Sequence, residues 1–371
     1  MSSSSSSSRV GWLVAIESTG PVAVEPGWND SVRAWVGNDD LSLDEVEDER
    51  LVSIVSSHST VITRVVVPQR ADLHVAAAGG GVAVSGKIEG DATIECGAGD
   101  VVFSGSIKGE RVLINARAGR IVAHRAIEAA EADLAGAAGI HVLRISALRV
   151  KAKVNGGDGD LFVGALYSAD ARLATAGEGG VRVTAIHGST SVDAPTSGSR
   201  ISLRGITGAV SVTSGASRPV SVHFDSARGK SVINAGGDVN VSFTTSTGAV
   251  RVSVLRAEGG VCVIGTSVPG GEFEGLVNGA TPQTSTNKAI GGSGKIREGA
   301  KITGFYEEKT ENSGTATDSA AEEPQAVARA DGVEMEVPPR VTVTSGGRVT
   351  IEVIDYAESI RRAALEKKVA A

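Results

Sequence analysis

Apolar residues recur through the middle of the chain as short apolar-x-apolar pairs set between small or turn-forming residues. One series runs Val82/Val84, Val101/Phe103, Ile121/Ala123, Ile140/Val142, Leu161/Val163, Val181/Val183, Ile201/Leu203, Val220/Val222, Val239/Val241 and Val261/Val263, with a period of about 20 residues. A second series interleaves half a period away and includes Ala92/Ile94, Val112/Ile114, Ala132/Leu134, Ala152/Val154, Ala171/Leu173, Val210/Val212, Val232/Asn234 and Val250/Val252. Glycines such as Gly99, Gly119, Gly159 and Gly208 punctuate the two series. In a strand, such a pair sends both side chains to one face and the intervening residue to the other. One coil cannot bury two pairs alone, but coils stacked about 4.8 Å apart enclose a dry interior between two facing sheets. The pattern predicts an all-β chain: a single-stranded β-solenoid with about 20 residues per coil. A β-sandwich also spaces short strands evenly, yet nothing in a sandwich holds one register through so many cycles.

The flanks differ. Residues 1–70 open with a serine tract and continue as apolar strands (Val22/Val24, Val32/Ala34/Val36, 62–67) around an acidic knot at 39–49, which predicts a β-rich N-terminal cap. The solenoid is expected over residues 71–268. Residues 269–371 begin irregular and acidic, then carry two more strands at 341–344 and 349–354 and a short C-terminal helix. That helix opens at Asp355 with Glu358 in a capping-box position, and Arg361, Arg362, Lys367 and Lys368 fall in its later turns.

The segment 73–263, with units such as GGVAVSGKIEG, GGVRVTAIHGSTSV, GDVNVSF and TGAVRVSV, resembles the bacterial adhesin-type β-solenoid family and its eukaryotic relatives of unassigned function. The eukaryotic members also end in a Gly-rich strand and a short helix, as 346–365 does here. The resemblance implies a right-handed single-stranded solenoid and no catalytic residues.

Composition narrows the classes. The 371 residues include 48 glycines without a G-X-Y period and only 10 prolines, which excludes collagen, and the 41% apolar content excludes wholesale disorder. Two cysteines cannot form a disulfide framework, and the net charge of -7 argues against a dedicated nucleic-acid binder. No run of about 18 uncharged apolar residues occurs, so no transmembrane segment is expected. With no signal peptide in evidence, an intracellular location is expected, cytoplasm ahead of mitochondrion.

Chemical motifs are sparse. Gly229-Lys230-Ser231 lacks the upstream phosphate-loop glycine, since Phe224 stands there. The stretch Gly156-Gly157-Asp158-Gly159-Asp160 is a single imperfect copy of a calcium-binding nonapeptide and reads as a solenoid corner. The six histidines show no ligand spacing, although stacking can bring His124 beside His141. Cys96 is expected to point inward and Cys262 outward. Outward residues of the second series, read as Thr93, Leu113, Asp133, Lys153, Arg172, Asp193, Ser211 and Ile233, put no two carboxylates on adjacent coils, which weighs against glycan chemistry there.

Two surfaces are candidate interaction sites. The outward residues of the first series are apolar in the early coils, with Val102, Val122 and Phe162 prominent, and such a stripe suits a protein partner unless a flank covers it. Residues 108–256 also carry 18 Lys and Arg against 11 Asp and Glu, so Lys151, Lys153, Arg172 and Arg182 are candidates for an anionic ligand. The leading expectation is a non-enzymatic binding or scaffolding protein needing no cofactor. The alternatives are a polyanion-binding module and a carbohydrate-active β-helix enzyme.

Overall fold

The computed structural model describes residues 12–28, 31–37, 50–196, 200–215, 219–244 and 339–354. It also describes the short segments 39–40, 44–46, 251–257, 261–265, 273–277 and 302–305, and residues Ile360, Arg361 and Ala364. Over these residues the chain is nearly all β and winds as a solenoid. Long strands, Arg120–Gly136, Gly139–Val154, Leu161–Thr175, Val181–Ala194 and Ile201–Ser214, lie parallel, each on the next. Val101 stands opposite Ile121, followed in turn by Ile140, Leu161, Val181, Ile201, Val220 and Val239, so successive coils are offset by about 20 residues. Each of these side chains is at most 1% exposed. The valine seam is therefore a water-free interior.

The coil has three sides, not the two facing sheets expected. In Leu161–Thr175 the inward Val163 and Leu166 are separated by two outward-facing residues, Gly164 and Ala165, and the inward Ser168 and Ala171 by Ala169 and Asp170. Two consecutive outward residues break the period-2 alternation and turn the strand through a corner without ending it. The short middle side contributes one large inward residue per coil: Ile88, Ile107, Ile127, Ile145, Leu166, Ile186, Ile206, Phe224 and Phe243, stacked in register. All are at most 1% exposed, and the Phe224 and Phe243 rings stack at 5.3 Å. A row with one member per coil has no apolar-x-apolar pair to reveal it.

Coils are joined at the turns by aspartates. Asp91 accepts the backbone N–H groups of Glu110 and Arg111, Asp100 that of Arg120, and Asp160 that of Gly180, at 2.6–2.9 Å. Glycines stack where the turns pass closest: a Cβ on Gly119 would overlap the carbonyl of Gly99, which itself sits at φ 111°.

Spatial order departs from chain order at both ends. Trp12–Ser18 pairs in parallel with Leu51–Ser56 on one side and Ala71–Ala77 on the other, while Val22–Gly27 lies between Thr63–Pro68 and Val82–Val84. Parallel stacking thus extends through segments that the sequence assigned to a cap. The far edge of that last coil is covered by antiparallel strands, Arg33–Val36 on Thr63–Pro68 and Asp44–Val46 on Leu51–Ser56, an arrangement that blunts an open edge.

At the other end, Arg340–Ser345 lies between Lys230–Ala235 and Arg251–Ala257, and Val349–Ile354 between Val239–Thr244 and Val261–Gly265. The two C-terminal strands are a coil inserted into the stack, and Val349/Ile351 separates Val239/Val241 from Val261/Val263. The expected pair Val232/Asn234 also fails: Ser231, Ile233 and Ala235 face inward at 1%, 0% and 8% exposure. Ala227 ends one strand and Lys230 begins the next after the positive-φ Gly229, and this turn at the corner shifts which residues face in. The expected C-terminal helix and the acidic linker fall almost wholly outside the described residues.

Candidate functional site

On the first side, the outward residues stack as Ala83, Val102, Val122, His141, Phe162, Arg182, Ser202, Ser221 and Asn240. Val102, Val122 and Phe162 are half-buried, because each is flanked along the rod by its neighbours in the row. The rings of His141 and Phe162 meet at 4.5 Å, and the Arg182 guanidinium carbon lies 5.8 Å from the Phe162 centroid. Burial, and secondarily the nearby His124, push the His141 pKa below its ordinary 6.5. Stacking thus brings these two histidines together as expected, but among the described residues no group of three or more potential ligands is positioned to hold a metal.

The predicted basic residues are not one cluster. Lys151 and Arg172 share a row on the third side with Asp133 and Thr93. Lys153 belongs to the next row, between Ala135 and Ala174, and Asp193 follows it. The outward list drawn from the sequence therefore mixed two rows, and Ile233 is not outward at all. Lys151 bonds Asp133 at 3.2 Å, Arg172 approaches Asp170 at 3.8 Å, and Glu131 lies 3.6 Å from Arg111 and 3.9 Å from Arg149. These exposed pairs stabilise little, yet they neutralise much of the basic character of this side. Arg182 stands apart, on the first side.

The middle side carries residues that sequence inspection did not single out. Tyr167 and His187 stack with centroids 4.4 Å apart and planes 6° from parallel, and the Arg144 guanidinium carbon lies 4.9 Å from the Tyr167 centroid. His187 Nδ1 and the Thr207 hydroxyl are 2.7 Å apart. The only advance signal was the coil period itself, which puts Ser146, Tyr167, His187 and Thr207 in one row once the middle side is recognised.

Further along, His223 lies between Ser242 (Nδ1 to Oγ, 2.9 Å) and Asp225 (Nε2 to Oδ1, 3.3 Å). The order hydroxyl, imidazole, carboxylate matches a nucleophile with its base and orienting acid. Ser242, however, is only 9% exposed and sits in a strand paired on both faces, so the ladders take the backbone N–H groups that an oxyanion site would need. The cluster ties neighbouring coils together.

Two motifs resolve as structure. Ser231 of the Gly-Lys-Ser stretch is buried and its hydroxyl accepts the Val210 N–H at 3.1 Å. Asp160 accepts the Gly180 N–H at 2.7 Å, as a turn aspartate does elsewhere in the rod. Among the described residues no helix is long and apolar enough to cross a membrane. No family model, curated protein or solved structure matches the chain.

Proposed function

We propose that this chain is a non-enzymatic β-solenoid that works as a binding or scaffolding protein, with the right-handed winding and C-terminal helix implied by its likeness to the adhesin-type solenoids. The observation that carries this reading is the outer row of the first side. There, apolar and aromatic side chains from successive coils are held in fixed register by ladders on both flanks of every strand, which gives a flat, rigid surface with little ordering cost on binding. The partner is a protein that docks on Val102, Val122 and Phe162, and the chain works inside the cell, in the cytoplasm ahead of the mitochondrion. Proximity labelling with the full-length chain, compared between wild type and the double variant Val122→Asp, Phe162→Asp, tests it. The neighbours shared by replicate wild-type samples should be lost from the variant; if the same set survives, this surface is not the docking site.

A second reading is supported by the two arginines seated on aromatic rings of one coil, which favour an anionic ligand over a glycan substrate.

A further inference from the structure

On the third side, one outward row changes character along the rod. In the early coils it reads Arg111, Glu131, Arg149 and Asp170, so each charge faces an opposite one on the next strand. Ser189 and Ala209 follow, and in the late coils the row reads Lys230, Arg340 and Arg251, three cations on neighbouring strands. This order is a product of the inserted C-terminal coil, which sets Arg340 between the other two. A parallel ladder holds such neighbours about 4.8 Å apart on the same face, and like charges placed directly opposite destabilise it.

Arg228 adds a further cation at the same turn. The Arg340 N–H donates to the Gly229 carbonyl at 3.0 Å, so Arg340 is fixed on the residue that joins Arg228 to Lys230. Gly229 sits at φ 64°, and a Cβ placed on it would meet nothing within 4 Å. The turn is therefore open above its backbone. Arg228, Lys230 and Arg340 are exposed, and among the described residues none has a carboxylate partner, in contrast to Arg111, Arg149, Lys151 and Arg172. The strand segments stacked here, 209–214, 230–235, 340–345 and 251–257, contain no aspartate or glutamate.

An anion of matching charge removes the repulsion. A guanidinium offers a fork of N–H donors to two oxygens of a phosphate, and a lysine ammonium adds a point charge. The row of cations spans two strand spacings, about 10 Å, which suits linked phosphates better than a single one. Toward the early coils it gives way to the uncharged Ala209 and Ser189, so a long polyanion gains little beyond it, and the net charge of -7 repels such a polymer.

We propose that Arg228, Lys230 and Arg340 form a binding site for a ligand carrying linked phosphates, completed by insertion of the C-terminal coil. The site is separate from Val102, Val122 and Phe162 and does not depend on a partner docking there. It also moves the anionic ligand away from Lys151 and Arg172, whose charges are matched.

Calorimetric titration of the full-length chain with tripolyphosphate at fixed ionic strength, repeated with inorganic phosphate, tests the site. Wild type should bind tripolyphosphate saturably and more tightly than phosphate. Lys230→Gln and Arg340→Gln should each weaken binding about ten-fold, and Arg340→Lys should recover only part of the loss, since it restores charge without the fork. The double variant Lys151→Gln, Arg172→Gln removes as much charge as Lys230→Gln, Arg340→Gln, yet it should bind as wild type. No saturable binding, undiminished binding by the Lys230 and Arg340 variants, or equal loss in the two double variants each overturns the site. Tripolyphosphate should also raise the thermal midpoint of wild type more than that of Arg340→Gln, because it binds the inserted coil; an equal rise overturns that coil's part in the site. Vesicles containing phosphatidylinositol bisphosphate separate the sources: binding that tripolyphosphate displaces and Arg340→Gln weakens identifies a lipid headgroup, whereas tripolyphosphate binding without vesicle binding identifies a soluble phosphate compound. Because none of these variants touches Val102, Val122 or Phe162, failure here leaves the partner-docking test to stand or fall separately.

Discussion

Asp238 accepts the backbone N–H of Arg348 at 2.7 Å across 110 positions of sequence. Asp100 accepts that of Arg120 at the same distance across 20 positions. One joint therefore serves both a sequential step and the inserted C-terminal coil. Around Asp238 the insertion is secured by the Ser345 hydroxyl, which donates to the Gly237 carbonyl at 2.7 Å, and by backbone bonds from Val239 to Arg348 and from Gly346 to Ala235.

Coil order is open to a cross-linking measurement. Asn234 faces Thr344, and Thr344 in turn faces Arg256. In a Cys262→Ser background, Asn234→Cys with Thr344→Cys should oxidise readily to an intramolecular disulfide, since neighbouring strands place Cα atoms about 5 Å apart. Asn234→Cys with Arg256→Cys, two strand spacings or about 10 Å apart, should not. The reverse result would mean that the chain stacks in sequence order.

The middle-side row is core, and truncating it should be costly. Ile127→Ala, at 1% exposure, is expected to lower unfolding free energy by about 2–5 kcal/mol in denaturant titration. Leu143→Ala, at 52% exposure on a corner, should change it by less than about 0.5 kcal/mol.

Stacked turn glycines should tolerate no side chain where the coil beneath is in the way. Gly119→Ala drives a Cβ into the Gly99 carbonyl and should shift the denaturation midpoint by the equivalent of about 1–3 kcal/mol. At Gly156, where the nearest atom to a Cβ is the Ala137 carbonyl oxygen at 3.3 Å, a shift of a few tenths of an ångström makes room, so alanine should cost clearly less than at Gly119.

His141 makes stability depend on pH. Its folded pKa lies below the ordinary 6.5 because burial, and then His124, disfavour the imidazolium. Between the folded value and 6.5 the unfolded chain binds more protons, so stability is full above 6.5 and falls as pH drops through that window. An NMR titration should place the His141 midpoint below 6.5, and His141→Gln should flatten the fall without removing it.

Cys96 is buried, and desolvation, reinforced by Asp100, raises its thiol pKa; Sγ also lies 2.9 Å from the Gly80 carbonyl. In native protein near pH 8 it should react with a thiol reagent far more slowly than after denaturation. Rapid native labelling at Cys96, located by peptide mass, would show that the interior opens there.

Much of this architecture was legible before any coordinates. The repeat is written in local alternation: Val181, Ile201, Val220 and Val239 face one way because a strand permits only two directions, and their even spacing defines the coil. What alternation could not convey was the middle side, where single residues such as Ile127 and Leu166 carry the row. Nor could it show the split of the basic residues, because a row's membership depends on how many residues each corner consumes, and moving from Lys153 to Lys151 exchanges one row for another. Only the tertiary structure decided the order of the coils. A parallel ladder is made by backbone groups common to every residue, so Val349/Ile351 fits over Val239/Val241 as well as Val261/Val263 would, and the choice rests on turn contacts such as Asp238 with Arg348 that join residues far apart in sequence.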